Sequence, residues 1–152
     1  MNKIKWQEQI KVTTWNVKSV SQGGKIHNTI QEMDRMGIEI LGVSEFAMIE
    51  RRRYINGHRV PYSADGKHEH GVGVILSAKP ARWLSSFTPV SACIMLLQLS
   101  SSPSDVNIIQ VHEPTMDKKD EKIEEFYGNI NGILRKRNKY EFTTVMEILI
   151  QK

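Results

Sequence analysis

Val12-Thr13-Thr14-Trp15-Asn16-Val17 and, further on, Ile40-Leu41-Gly42-Val43-Ser44-Glu45 are the two stretches from which the fold can be read. The run from Lys11 to Val17 is rich in β-branched and aromatic side chains, which suit a pleated, half-buried surface, and it reads as a strand. Past the turn residues Gly23-Gly24, the apolar residues Ile26, Ile30 and Met33 recur at helical spacing. Gly37 is placed to end that helix, since glycine alone enters the left-handed conformation without steric cost. Ile38 to Val43 then reads as a buried strand that carries Ser44 and Glu45 at its C-terminal end. Strand, helix and strand in so short a length predict a parallel crossover unit.

Outward from this unit the pattern changes. Arg59 to Ser63, Gly71 to Ser77, Cys93 to Leu99 and Val106 to Val111 are short strand candidates with no helical pattern between them, so this region is expected to be largely antiparallel. A second helix is predicted from about Asp117 to Arg137, with Ile123, Phe126, Tyr127, Ile130, Ile133 and Leu134 on one face. Asp117 or Asp120 would cap its start, and Arg135 and Arg137 complement the dipole at its end. Phe142 to Ile150 reads as a last strand, and the class is a mixed α/β sandwich.

A length of 152 residues suits one domain, expected over 11–152 behind an N-terminal extension over 1–10. With 39% hydrophobic and 25% charged residues, the chain differs from disordered, fibrous and coiled-coil sequences. The longest apolar run, Ala92 to Leu97, is far too short to span a membrane. No apolar block follows the charges of Met1-Asn2-Lys3-Ile4-Lys5-Trp6, so no secretory leader is expected. The single cysteine, Cys93, fits a reducing compartment and reads as a buried core residue, not a nucleophile. An intracellular domain is expected, nuclear if it acts on DNA. The net charge of +4 points weakly toward polyanions. Its clusters are Arg51-Arg52-Arg53, Lys118-Lys119 and Arg135-Lys136-Arg137.

Two polar residues stand where predicted strands end, Asn16 in the first and Glu45 after the second. Parallel neighbours bring their C-terminal ends together, and open α/β sheets bind ligands there. An amide for a phosphate oxygen beside a carboxylate for Mg²⁺ would suit phosphodiester hydrolysis. In His68-Glu69-His70, two histidines two apart would share a strand face and suit Zn²⁺, but no further ligand stands at a recognisable spacing. The other reading of that triplet is a polar loop entering the Gly71–Leu76 strand.

The words themselves are more specific than their spacing. Thr14-Trp15-Asn16-Val17, Ile40-Leu41-Gly42-Val43-Ser44-Glu45 and His68-Glu69-His70-Gly71-Val72-Gly73-Val74-Ile75-Leu76-Ser77 follow in order. Val106-Asn107-Ile108-Ile109-Gln110-Val111-His112-Glu113-Pro114-Thr115 and Glu124-Glu125-Phe126-Tyr127 come after them. This series resembles the endonuclease domain of non-LTR retrotransposons, in the endonuclease/exonuclease/phosphatase superfamily with apurinic endonucleases and DNase I. The resemblance covers about Val12 to Met146. It implies a DNase I-like four-layer sandwich, two β-sheets flanked by helices, with a Mg²⁺-dependent site at one end and DNA as partner. Asn16 would then contact phosphate or orient the site, and Glu45 would be the principal metal ligand. Arg51, Arg52 and Arg53 would lie in a loop that could face a DNA backbone.

Two departures bear on the chemistry. The family's Tyr-Ala-Pro-Thr-Asn reads His112-Glu113-Pro114-Thr115-Met116, so His112 replaces a tyrosine near the scissile phosphate. An imidazole can still donate a hydrogen bond there, with different reach and protonation. Thr143-Thr144-Val145-Met146 lines up with the strand that leads into Gly-Asp-x-Asn, but Glu147-Ile148-Leu149-Ile150-Gln151-Lys152 follows instead. Glu147 falls on the glycine position, one residue short of the expected general-base aspartate, and no later Ser-Asp-His segment is present. The reading is therefore a C-terminally incomplete sandwich with its hydrolytic groups missing. The strand from Phe142 is expected to expose an edge open to self-association.

Overall fold

The first unit forms as the sequence predicts. In the computed structural model, which describes residues 9–16, 25–44, 54–55, 57–64, 71–113 and 120–148, strands β1 (Val12–Asn16) and β2 (Ile40–Ser44) lie parallel with helix α1 (Lys25–Arg35) between them. The register runs from Val12 beside Ile40 to Asn16 beside Ser44. Gly37, at φ +70°, ends the helix. Its N–H donates to Asp34 O at 3.1 Å, and the N–H of Ile38 donates to Met33 O at 2.9 Å. This is the paired C-terminal cap that a left-handed residue permits.

The other elements are β3 (Tyr54–Ile55), β4 (His58–Arg59), β5 (Tyr62–Ala64), β6 (Gly71–Leu76), α2 (Ala78–Ala81), β7 (Leu84–Ser91), β8 (Ile94–Leu99), β9 (Val106–His112), α3 (Asp120–Arg135) and β10 (Phe142–Ile148). One sheet has the order β1-β2-β6-β4-β3, with β5 also pairing to β6. The other has the order β10-β9-β8-β7. The middle of the chain is antiparallel, as expected. β10 lies parallel to β9 across α3, so a second strand–helix–strand unit closes the described chain.

Three apolar clusters make the layers. Ile30, Met33 and Ile38 cover Leu41, Val43 and Ile75 on the outer face of the first sheet. Phe126, with Ile130 and Ile133 beside it, covers Ile94, Leu96, Ile109 and Val111 on the outer face of the second. Between the sheets lie Ile40, Val72, Val74, Leu76, Met95, Leu97, Leu99, Ile108 and Met146. These clusters are the four-layer α/β sandwich anticipated from the sequence.

Two expectations are corrected. Cys93 is half-buried, in the turn between β7 and β8, where its N–H donates to Ser91 Oγ at 3.1 Å. It lies at the margin of the cluster under α3 because β8 begins one residue later, at Ile94. β7, with the short α2 ahead of it, went unread in the sequence. Along β7 only Leu84, Phe87 and Ser91 are half-buried and the rest is exposed, so the two-residue alternation of a strand is missing from the sequence.

The two sheets come close at Gly42 of β2. A Cβ there would stand 2.4 Å from Gln110 Oε1 and 2.8 Å from Gln110 Cδ of β9. Gln110 is fully buried, so its amide has nowhere to retreat. Gly42→Ala is expected to destabilise the fold by about 1–3 kcal/mol, as overpacking does. Denaturant unfolding of Gly42→Ala, Gln110→Ala and the double variant checks this, with the Gly42→Ala penalty largely absent when residue 110 is alanine.

Candidate functional site

The Gly42–Gln110 contact fixes which strand ends meet. A cavity of about 570 Å³ lies between the strand pairs, lined by Val12, Thr14 and Ile40 on one side and by Ile108, Phe142 and Met146 on the other. Gly42 abuts Gln110, and Ile40 and Ile108, each two residues earlier, share the core, so β2 and β9 run the same way, each with its parallel partner. At the finishing end stand Asn16 and Ser44, paired on β1 and β2, and His112, which closes β9 in register with Ile148.

Along β9 the inward row turns from aliphatic to polar before the strand ends. Ile108 belongs to the core between the sheets, Gln110 abuts Gly42 from the same side, and His112 follows at the same two-residue period. His112 is buried at 6% exposure, and its backbone N–H donates to Cys93 O at 2.9 Å. Neither Gln110 Oε1 nor Nε2 has a hydrogen-bond partner among the described residues. A buried amide left so costs about 1–3 kcal/mol for each unmet group, so this end of the core is built to receive polar atoms.

Of the residues singled out in the sequence, Asn16 and His112 come to the same end of the sandwich, on different sheets. Glu45 follows directly on Ser44 but lies outside the described residues, as do Arg51, Arg52, Arg53 and the His68-Glu69-His70 triplet. Among the described residues, no three His, Cys, Asp or Glu side chains converge on one point.

The sequence reading missed a polar contact at this end. It placed Tyr127 on the apolar face of the second helix, but the ring is 46% exposed and packs edge-on to Phe126 with centroids 5.1 Å apart. Its hydroxyl donates to Glu113 Oε1 at 3.1 Å, next to His112 in the chain. The hydrogen bond to Glu113 holds the Tyr127 phenol above its ordinary value, with lost hydration and the charges of Glu113 and Glu147 adding to it.

A phenol raised in the folded state contributes stability below its ordinary pKa of 10.0, and that contribution is lost as pH climbs through the higher folded value. In a spectrophotometric titration, Tyr127 is therefore expected to ionise above pH 10.0, and Glu113→Ala to bring its midpoint down. An unchanged midpoint in Glu113→Ala would contradict the assignment.

Two sheets packed face to face with helices outside define a DNase I-like α/β sandwich. The solved structures that share it are nucleases and related proteins. An AP endonuclease from Archaeoglobus fulgidus superposes with a TM-score of 0.66 at 15% identity, over 91% of this chain and 56% of its own. The endonuclease domain of TRAS1, a telomere-specific non-LTR retrotransposon, gives 0.65 at 15% identity, over 90% of this chain and 59% of that one. D. rerio TDP2 complexed with a single-strand DNA product gives 0.65 at 8% identity, over 91% and 59%. In sequence, the chain is 26% identical over 130 residues to craniofacial development protein 2 of Tragulus javanicus, covering 84% of this chain. It spans only 22% of that relative's length. No family model matches. The resemblance read from the motifs is thus met both by this relative and by the fold.

Proposed function

We propose that this domain is a retrotransposon-type endonuclease sandwich that engages DNA phosphates and does not complete hydrolysis by itself. The observation that carries the reading is the position of Asn16, Ser44 and His112 at strand ends on the same side of a DNase I-like sandwich. The ancestral reaction on this reading is Mg²⁺-dependent nicking of DNA.

The donor chemistry fits a hard cation. Asn16 offers an amide oxygen, and Glu45, one residue past the strand partner of Asn16, offers a carboxylate. Glu45 would hold Mg²⁺, which when bound supplies electrostatic stabilisation of the charge that develops on phosphate. Asn16 also orients a phosphate oxygen, and His112 donates a hydrogen bond from the opposite sheet. The aspartate to which the resemblance gives deprotonation of the attacking water is not among these groups. In register with His112, the position where the resemblance expects an aspartate is Ile148, which can neither accept a proton nor bind a cation. Loss of a general base alone costs about 10²–10⁴-fold in rate.

The purified 152-residue chain is therefore expected to leave supercoiled plasmid intact with Mg²⁺ while binding duplex DNA in a salt-dependent way. Replacing Arg51, Arg52 and Arg53 with glutamine should lower the slope of log affinity against log salt by about 2.7, at roughly 0.9 per duplex phosphate contact. Nicking that disappears in Glu45→Ala would show that another group serves as base and would overturn the inactive reading.

A second reading, self-association, is favoured by the outer strand of the second sheet. β10 is an edge among the described residues, and it exposes Phe142 at 64% and Val145 at 44%. Sedimentation velocity should then show concentration-dependent dimers, weakened by Val145→Lys, because charge on an edge strand opposes pairing.

A further inference from the structure

At the end of the sandwich away from Asn16 and His112, α3 runs out into Arg135-Lys136-Arg137-Asn138-Lys139-Tyr140, four cations in six residues with no acid among them. The segment is held in shape. Lys136 N–H donates to Ile133 O and Arg137 N–H to Leu134 O, closing the helix, and Arg137 Nε also reaches Ile133 O at 3.3 Å. Asn138 Oδ1 accepts from Tyr140 N–H at 3.0 Å, the side-chain-to-backbone bond that fixes a turn.

The neighbouring carboxylates are turned inward. Glu141 Oε2 accepts from Asn107 Nδ2 of β9 at 2.8 Å and from the N–H of Asn138 at 3.4 Å. Asp105 Oδ1 accepts from the N–H of Ser101 at 3.3 Å. Set against these two acids, the four cations leave the turn with a net positive charge. Beside the charges stand two rings, Tyr140 at 70% exposure and Phe142 at 64%. Lys139 Nζ lies 5.0 Å over the Tyr140 ring. Cations at a helix C-terminus also complement its dipole, but that role needs no exposed aromatic beside them.

We propose that the turn from Arg135 to Phe142 is a binding surface for single-stranded nucleic acid, with the cations on successive phosphates and Tyr140 stacked on a base. Charge complementarity selects a polyanion, and the exposed ring beside the charges selects one whose bases are unpaired, because every unpaired base has a face to stack. The rigid turn favours binding because little order remains to be imposed. β9 and β10 each span seven residues, so the surface lies about 20 Å from the strand ends that carry His112 and position 148. It is therefore separate from the phosphate site proposed above, and the two can be tested apart.

The test is fluorescence anisotropy of the 152-residue chain with a labelled mixed-sequence single strand and with the matching duplex, over a series of salt concentrations. Lys136→Gln with Lys139→Gln should lower the single-strand salt slope by about 1.4, at roughly 0.7 per contact. Tyr140→Ala should weaken single-strand binding by at least about fivefold, the low end of base stacking, and change duplex binding by less than about twofold. Equal weakening of single strand and duplex by Tyr140→Ala would overturn the stacking assignment. Unchanged slope and affinity in both variants would overturn the surface itself. If single-strand binding instead falls only when Arg51, Arg52 and Arg53 are replaced, this proposal fails while the phosphate site stands.

Discussion

Everything at the polar end of this molecule depends on how near the two sheets come, and that spacing is set by an amide lying against a bare backbone. Gln110 occupies the room that a side chain at residue 42 would need. Facing sheets ordinarily stand about 10 Å apart with interdigitating aliphatic side chains between them. Ile40, Leu97, Ile108 and Met146 supply that filling over most of the sandwich. At Gly42 the filling gives way to a polar group, and past it come Ser44 and His112. The transition from oily core to polar end is thus written into single strands, one inward position at a time.

Much of this was legible in the sequence because it rests on short-range patterns. The β1–α1–β2 unit announced itself through β-branched runs, the spacing of Ile26, Ile30 and Met33, and the stop at Gly37, and each has a local physical cause. Asn16 was legible as a candidate because it closes a strand, and His112 because the family resemblance puts a tyrosine at its position. What was not legible is three-dimensional. Gln110 reads as one more residue in a β-branched strand, and nothing along the chain says that it faces a glycine from another sheet. Tyr127 fell on the apolar stripe of its helix by period, yet its hydroxyl is held by Glu113, a partner that only the packing of α3 on β9 supplies. β7 was hidden because a largely exposed edge strand has no need of the alternation by which strands are recognised.

The chain also separates two kinds of polar residue that composition treats alike. Asn107 and Gln110 are both fully buried amides on β9, three residues apart and on opposite faces. Asn107 Nδ2 donates to Glu141 and to Thr143, tying the turn before β10 to the sheet. Gln110 has no such tie among the described residues and lies where the groups of the polar end gather. The first ties the turn before β10 to the sheet, and the second faces Gly42 across the core.

The parallel pairing of β1 with β2 and of β9 with β10 makes the sandwich two similar halves laid face to face, each with its own covering helix. Each half can close its helix over its strands through contacts near in sequence. Asn16 and His112, however, belong to opposite halves, and closing a long loop costs entropy that local contacts do not recover. The polar end therefore exists only where the two sheets are packed together, and the aliphatic layer between them, Ile40, Leu97 and Ile108 among it, holds it in place as much as any polar residue does.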